Sequence, residues 1–285
     1  MVSQDQKQET ELLISVLQMC AGDCKADNLK EAENLILQAC STKAHQTKKH
    51  SHLLCLPEVF NMRAQTAEEN NAAAENIPDG QTYHWAAEMA KRFACYLLAG
   101  SILERNDIDK PFNTSFVIDP QGRLVAKYRK INLFQFTPDN DAQQSASLCE
   151  PKFRSAGNKP VFFDAPWGRT GLAICFDLRF PELFVNYRKH DCKLVLLPSA
   201  FTYTTGQVHW ETLCKARAIE NQLFFVAPNQ SGKANCWGHS CVINPWGQVV
   251  AMLEEEDKAY LQCEIDFSEV EIVRRKIDMQ KRLFS

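Results

Sequence analysis

The stretch Thr170-Gly-Leu-Ala-Ile-Cys-Phe-Asp-Leu-Arg-Phe-Pro-Glu-Leu183 gives the clearest indication of how this chain folds. An apolar run ends at Cys175, and a charged segment that can start a helix follows it. The pattern predicts a buried strand that delivers a thiol to a strand-to-helix turn. A thiol at such a turn lies at the edge of a sheet, near backbone N–H groups that can bind an oxyanion. Alternatively, Cys175 only packs as a small apolar residue, as most of the twelve cysteines must.

The rest of the chain alternates between strand-like and helix-like segments. The predicted strands are 12–19, 53–56, 96–102, 113–118, 124–128, 194–197, 224–227, 241–243, 249–253 and 260–265. Asp27 and Thr82 are predicted to cap two helices, and two further helices are predicted to start at Pro181 and Val208. This alternation favours a layered α/β fold. The sequence has no Gly-rich phosphate-binding loop, so we predict no nucleotide cofactor.

Two further segments place polar residues at the ends of predicted strands. Leu53-Leu-Cys-Leu-Pro-Glu-Val-Phe60 contains Glu58, and Val125-Ala-Lys-Tyr-Arg-Lys-Ile-Asn-Leu-Phe134 contains Lys130. A glutamate, a lysine and a cysteine that each follow a strand can converge at one edge of a sheet. Two alternatives stay open from the local pattern: Glu58 caps a helix, and Lys130 belongs to a solvated basic face.

The three segments resemble the nitrilase superfamily of carbon–nitrogen hydrolases, whose catalytic Glu, Lys and Cys occur in this order. Three later segments resemble the Nit branch of that family: 198–213, 216–222 and 237–247. The resemblance runs from near Gln18 to the end of the chain. It implies a four-layer α-β-β-α sandwich, one carbon–nitrogen hydrolase domain over residues 1–285, and a homodimer.

The resemblance also implies roles for individual residues. Cys175 attacks an amide carbonyl as a thiolate, and Glu58 is the base that accepts its proton. Lys130 and the backbone N–H of Phe176 stabilise the oxyanion. Glu150 matches the second glutamate of the family, which orients the lysine. The local pattern alone equally allows Glu150 to be a carboxylate on a surface loop.

The remaining candidate residues concern the substrate. Arg179 matches an arginine that contacts substrate carboxylates, which a guanidinium binds through two parallel hydrogen bonds. The alternative role for Arg179 is an ion pair with Asp177 or Glu182. Phe201 and Thr205 are expected to line the pocket.

One segment departs from the family pattern. Where Nit-branch enzymes read Lys-x-His-Leu-Phe-Asp, this chain has Asn132 in place of the histidine and Gln135 in place of the aspartate. The following loop, 136–147, also differs, which leaves the pocket entrance and the substrate open. The whole segment 132–159 has few apolar residues, and we predict that it forms a lid or wall over the site.

Composition excludes several classes of protein. The net charge of −3 argues against a nucleic-acid partner, and no apolar run approaches the roughly 20 residues that span a bilayer. Neither Cys20 and Cys24 nor the group Cys236, His239 and Cys241 has the spacing of a zinc site, so we predict no metal. The cysteines suggest no disulfide framework. We therefore expect a soluble cytoplasmic protein.

The resemblance to the Nit branch implies an amidase for a small carboxylate-bearing amide, most like deaminated glutathione amidase. An omega-amidase acting on 2-oxoglutaramate is the close alternative. A papain-like hydrolase needs a histidine beside Cys175, but we interpret His209 as a helix-start or packing residue and His239 as a structural one. A catalytically inactive binding scaffold is the alternative from another class.

Overall fold

The computed structural model describes residues 9–136, 149–232, 236–254 and 258–279. The first of its two mixed sheets has seven strands in the order β13-β1-β2-β3-β5-β4, with β6 paired to β5. These strands are β1 (Glu11–Gln18), β2 (His52–Cys55), β3 (Tyr96–Leu98), β4 (Ile102–Glu104), β5 (Phe112–Ile118), β6 (Leu124–Arg129) and β13 (Ala259–Asp266). Strands β1, β2 and β3 run parallel, so their carboxyl ends share one edge.

The second sheet has six strands in the order β12-β11-β10-β9-β8-β7. They are β7 (Val161–Ala165), β8 (Gly168–Leu172), β9 (Leu194–Leu196), β10 (Phe224–Ala227), β11 (Cys241–Ile243) and β12 (Val249–Met252). The three central strands, β8, β9 and β10, are parallel. Strands β9 and β10 are apolar throughout and fully buried, as suits strands that are covered on both faces.

The helices cover the outer face of each sheet. Helices α1 (Lys25–Cys40) and α4 (Gln81–Arg92) pack on the first sheet, and α5 (Pro181–Lys189) and α6 (Tyr203–Asn221) pack on the second. Alternate residues of β2 face opposite layers, since Leu53 joins the core between the sheets and Leu54 joins the core under α1 and α4. The structure is therefore the expected α-β-β-α sandwich.

Three predicted boundaries are wrong. Helix α1 begins at Lys25 with Cys24 at its N-cap, and α4 begins at Gln81 with Gly80 at its N-cap. The Thr82 hydroxyl donates instead to the Glu75 carboxylate, at 2.7 Å. Helix α6 begins five residues before the predicted Val208, so Thr205 lies in its first turn.

The predicted strand 96–102 is two strands, β3 and β4, because the backbone breaks at Gly100. This glycine has a φ of +34°, and a Cβ there would lie 1.9 Å from the Pro57 carbonyl oxygen. Only glycine fits so close to the segment that carries Glu58.

The periodicity did not predict three short helices: α2 (Lys43–Thr47), α3 (Ala67–Ala73) and α7 (Ser268–Lys276). Two 3₁₀ turns, Glu150–Lys152 and Cys175–Arg179, lie at the candidate site. Within the described ranges, no helix is both long and apolar enough to cross a membrane.

Candidate active site

The predicted strand-to-helix turn at Cys175 is present. The chain leaves β8, and Cys175 starts the 3₁₀ turn with a φ of +46°. A cysteine in this left-handed conformation costs of order 1 kcal/mol and persists only where its surroundings fix it. The backbone N–H of Cys175 donates to the Pro198 carbonyl at 3.0 Å, which ties the turn to the end of β9.

Asp177 holds the turn from the other side. One carboxylate oxygen accepts from the Ile174 N–H at 2.9 Å and the Tyr128 hydroxyl at 2.7 Å. The other accepts from the backbone N–H and the side-chain amide of Asn132, at 2.9 and 2.8 Å. Burial raises the pKa of Asp177. The unusual Asn132 therefore orients the thiol-bearing turn through Asp177.

Lys130 lies directly after β6 and is only 1% exposed. Its Nζ is 2.9 Å from Glu58 Oε1 and 2.8 Å from Glu150 Oε2. The solvated-face alternative is wrong for Lys130, whereas its neighbours Lys127 and Arg129 both pair with Glu104 elsewhere.

Glu58 follows β2 and bonds to groups from three parts of the chain. Its Oε1 accepts from Asn113 Nδ2 at 2.8 Å as well as from Lys130, and its Oε2 accepts from the Ala200 N–H at 2.8 Å. The Cys175 thiol interacts with this same carboxylate and with the Ala200 N–H. The buried Glu58 carboxylate thus lies between the Lys130 ammonium and the Cys175 thiol. The alternative that Glu58 caps a helix is wrong.

Glu150 is also buried, so the surface-loop alternative is wrong. Its Oε1 lies 2.6 Å from Arg154 Nη1, and its Oε2 accepts from the Phe134 N–H at 2.7 Å. Glu150 and Phe134 both belong to the segment that was predicted to wall the site. Residues 137–148 of that segment, which include most of the atypical loop, lie outside the described residues.

The charges at this site perturb one another strongly. Burial disfavours the Lys130 ammonium, but the carboxylates of Glu150 and Glu58 outweigh it and raise the pKa of Lys130. Burial opposes ionisation of Glu150, yet Lys130 and Arg154 lower its pKa to about 2. Burial, reinforced by the negative charge of Glu58, raises the pKa of the Cys175 thiol well above its ordinary value, against the pull of Lys130. The stable ground state is therefore a protonated thiol beside an ion pair.

A cavity of about 300 Å³ opens over these groups. Glu58, Lys130 and Glu150 line it, as do the predicted pocket residues Phe176, Arg179, Phe201 and Thr205. Cys175 is 6% exposed and lies behind this lining, against Glu58 and Ala200.

Arg179 carries an accessible positive charge in the cavity wall. Its guanidinium lies over the rings of Phe176 and Phe201, at 5.7 and 5.2 Å from their centroids, and its Nη1 is 3.2 Å from His209 Nδ1. Asp177 is occupied by the turn, so the predicted alternative of an ion pair with Asp177 is wrong. Within the described part of the chain, Arg179 has no carboxylate partner.

The two histidines considered for a papain-like site have other contacts. His209 bonds to Arg179, so its interpretation as a packing residue missed a contact with the pocket wall. His239 Nδ1 lies 2.8 Å from the Trp237 carbonyl, and its ring stacks on Trp237 at 4.2 Å, as expected of a structural residue.

Sequence reasoning missed three residues of this site. Asn113 donates to both Glu58 and Glu150, and Arg154 pairs with Glu150. Arg63 lines the cavity, with its Nη1 3.0 Å from Cys236 Sγ. The i, i+4 spacing of Arg154 from Glu150 could have indicated the ion pair between these two residues. No local pattern singles out Asn113 or Arg63.

The α-β-β-α sandwich with a thiol, an amine and carboxylates at its strand ends is the architecture of the nitrilase superfamily. The carbon–nitrogen hydrolase family matches residues 13–275, and the chain belongs to that family.

Named relatives agree with this assignment. The chain is 37% identical over 279 residues to "Omega-amidase NIT2" of Homo sapiens, covering 96% of each chain. It is 34% identical to "Hydrolase C26A3.11" of Schizosaccharomyces pombe, over 93% of this chain and 79% of that one. Among solved structures, the C. elegans NitFhit protein matches with a TM-score of 0.84 and 33% identity, over 98% of this chain and 67% of that chain. Saccharomyces cerevisiae Nit3 also matches with a TM-score of 0.84, at 25% identity over 99% and 100% of the two chains.

Proposed function

We propose that this protein is an amidase that hydrolyses the C–N bond of a small carboxylate-bearing amide through a thioester on Cys175. One observation carries the proposal: the Glu58 carboxylate contacts both the Lys130 ammonium and the Cys175 thiol inside one cavity. An amide carbonyl is a weak electrophile, and a covalent route divides its hydrolysis into two easier steps.

In the first step, Glu58 accepts the thiol proton as the sulfur attacks the carbonyl carbon. The new C–S bond pushes the carbonyl electron pair onto oxygen, and the Lys130 ammonium stabilises the oxyanion. The Phe176 N–H is the second donor, since the first N–H groups of a helical turn have no acceptor within it. Proton transfer coupled to attack suits a thiol whose pKa is raised by burial and by Glu58.

In the second step, the intermediate collapses and the C–N bond breaks. Glu58 returns its proton to the departing nitrogen, and the acyl group remains on sulfur. Glu58 then takes a proton from water, whose oxygen attacks the thioester, and the thiol leaves with that proton. Glu150, held by Arg154, keeps Lys130 charged and in place throughout, so we assign it a positioning role.

The preferred substrate is the ω-amide of a short α-keto dicarboxylic acid, such as 2-oxoglutaramate. The relatives named omega-amidases support this choice over deaminated glutathione, which the sequence motifs favoured. The guanidinium of Arg179, which has no carboxylate partner among the described residues, suits the single free carboxylate of such a substrate. The cavity volume of about 300 Å³ is adequate for a molecule of this size.

Deaminated glutathione is the second candidate, and one observation favours it. Its two carboxylates lie at opposite ends of the molecule, and the cavity wall contains Arg63 in addition to Arg179. The guanidinium of Arg63 contacts the Cys236 thiol, a weak acceptor that a carboxylate would outcompete.

Turnover of both compounds tests the proposal. Both yield 2-oxoglutarate, so the assay follows that product together with ammonia or cysteinylglycine. We expect faster turnover of 2-oxoglutaramate, and a mass increase on Cys175 matching the acyl group when the reaction is quenched during turnover. Arg63→Met should impair only the reaction with deaminated glutathione. Absence of turnover and of acylation with both compounds contradicts the amidase proposal.

We also propose that the protein is a cytoplasmic homodimer that associates through the outer face of α6. Val208 and Ile219 lie about three turns apart on that helix and are 65% and 51% exposed. The proposed location is supported by the cysteines, since all twelve are free thiols, as in a reducing compartment such as the cytoplasm. Sedimentation velocity of Val208→Glu tests the dimer: we expect monomers, and an unchanged dimer excludes this face.

A further inference from the structure

Three metal-ligating side chains converge far from the active site, at the amino end of β2. Cys40 is the last residue of α1, His45 lies in α2, and His52 is the first residue of β2. One sulfur and two ring nitrogens lie within 4.8 Å of one another. Cys40 and His52 are buried and His45 is half-buried, so these contacts are not a chance meeting of surface side chains.

Hydrogen bonding alone does not satisfy the two imidazoles. Their Nδ1 atoms face each other at 2.8 Å, and Lys48 Nζ lies 3.1 Å from the same His45 Nδ1. An unprotonated imidazole nitrogen has one lone pair, so two donors compete for the single acceptor on His45. If His45 Nδ1 carries the proton and donates to His52 Nδ1 instead, the Lys48 ammonium faces an N–H rather than an acceptor. A cation bound by both nitrogens resolves either conflict.

A second layer of hydrogen bonds fixes these ligands in orientation. His52 Nε2 lies 2.9 Å from Ser15 Oγ, which also accepts from Gln262 Nε2 at 2.8 Å. The Gln262 side-chain oxygen in turn accepts from the Thr42 hydroxyl, and that hydroxyl accepts from the backbone N–H of His45 in α2. A partner on the second ring nitrogen is the usual arrangement for a metal-binding histidine, because it leaves the other nitrogen facing the metal.

We propose that Cys40, His45 and His52 bind one thiophilic divalent cation, Zn²⁺, with a fourth position open to water. One sulfur and two imidazole nitrogens are a donor set that suits zinc rather than magnesium or calcium. Zinc bonds of about 2.0–2.3 Å in tetrahedral geometry place ligand atoms roughly 3.3–3.6 Å apart, so shifts of about an ångström suffice. This proposal revises the sequence-based expectation of no metal.

Lys48 is the group that opposes this binding. Its ammonium lies beside His45 and must turn away before a cation enters. The side chain is only partly buried, and its Nζ also lies 3.4 Å from the Ala94 carbonyl on the exposed side. Lys48 therefore acts as a competing cation whose removal should tighten metal binding.

Zinc and cobalt binding to the full-length chain tests the proposal. The Cys175→Ala variant is used throughout, so that the active-site thiol cannot bind the metal. We expect one equivalent of Zn²⁺ to be retained against a chromogenic chelator. Co²⁺ in its place should give a thiolate-to-cobalt charge-transfer band and the strong visible bands of tetrahedral coordination.

Second substitutions identify the ligands. His45→Gln, on a partly exposed helix, should weaken Zn²⁺ binding by more than about 100-fold, and Ser15→Ala by about 10- to 100-fold. Lys48→Met should tighten it by about tenfold, because it removes a positive charge near the ion. His84→Gln, at an exposed histidine of α4, is the matched control and should change nothing. Unchanged affinity in His45→Gln, or a cobalt spectrum without the charge-transfer band, overturns the proposal.

Discussion

Strands β5 and β6 carry two charged clusters that differ in what surrounds them. The cavity cluster consists of Glu58, Asn113, Lys130, Glu150 and Arg154, and the edge cluster consists of Glu104, Thr114, Lys127 and Arg129. Adjacent residues serve different clusters, since Thr114 bonds to Glu104 and Asn113 to Glu58. Side chains alternate across a strand, and one residue of offset therefore separates the two clusters.

The exposure of the cations separates the two clusters in chemistry. Lys130 is 1% exposed, whereas Lys127 and Arg129 are 29% and 42% exposed at their side chains. Water and salt screen the ion pairs of the edge cluster, so these pairs connect β4 to β6 but add little to the free energy of unfolding. The cavity cluster is enclosed, includes two carboxylates for one lysine, and lies beside a thiol. Similar residue types thus tie two strands together at an edge in one place and surround a buried thiol in the other.

Removal of the thiol tests this contrast with the largest expected effect. Cys175→Ala should lower kcat by at least about 10⁴-fold, because it removes the proposed nucleophile. Cys24→Ala, at an exposed cysteine, is the control and should retain parental kcat. The measurement is 2-oxoglutarate release with matched circular dichroism spectra. Substantial turnover by a folded Cys175→Ala variant contradicts the covalent mechanism.

Removal of the lysine from each cluster comes next. Lys130→Met leaves Glu58 and Glu150 buried against each other and should lower the free energy of unfolding by about 3–5 kcal/mol. Lys127→Met leaves Glu104 paired with Arg129 and should cost less than about 1 kcal/mol. Urea unfolding of both variants gives the two values. Equal losses would show that enclosure does not distinguish the clusters.

Two arginines, Arg179 in the cavity wall and Arg129 in the edge cluster, test which of the two regions faces the substrate. Arg179→Met should raise KM about 10- to 100-fold with kcat nearly unchanged, since it removes a charged hydrogen bond made equally in the ground and transition states. Arg179→Lys should recover part of this loss. Arg129→Met, in the edge cluster, should leave KM as it is. A fall in kcat without a change in KM would assign Arg179 to another role.

The smallest effect concerns acid stability. Burial opposes ionisation of both Glu150 and Glu104, but their cations lower both pKa values, that of Glu150 from 4.5 to about 2. A folded-state pKa below the unfolded value adds stability above about pH 4.5, which is lost as the pH falls toward 2. Glu150→Gln should flatten the dependence of unfolding free energy on pH in this window, and Glu104→Gln should flatten it below about pH 4.5. Added salt should weaken only the Glu104 contribution. Equal salt sensitivity contradicts the difference in enclosure.

The local sequence predicted much of the scaffold of this site. The apolar runs before Glu58, Lys130 and Cys175 identified buried strands, and the position of each residue after its strand predicted that the three would converge. Their catalytic roles, and the role of Phe176 as a donor, stay predictions that the kinetic experiments test.

Each missed feature depends on a contact between side chains that the local sequence pattern does not show. Thr82 looked like a helix cap because threonine favours that position, but its hydroxyl donates to the carboxylate of Glu75, which precedes the helix. Asn132 looked like a loss at the pocket entrance, yet it bonds to Asp177 on the thiol-bearing turn. Cys40, His45 and His52 follow no motif spacing because they come from a helix, a short helix and a strand.

Hydrophobic periodicity predicted the alternating strands and helices and the thiol at a sheet edge, because burial and backbone geometry impose patterns over a few neighbouring positions. The family and the four layers of the sandwich came from the resemblance of a few short segments to known enzymes. Which charges pair was decided only in three dimensions. Lys130 and Lys127 are lysines three positions apart in one basic segment, and only the packing of the loop that carries Glu150 encloses the first and leaves the second partly in water. Coulomb energies and desolvation depend on distances between residues remote in the chain, and no local pattern records those distances.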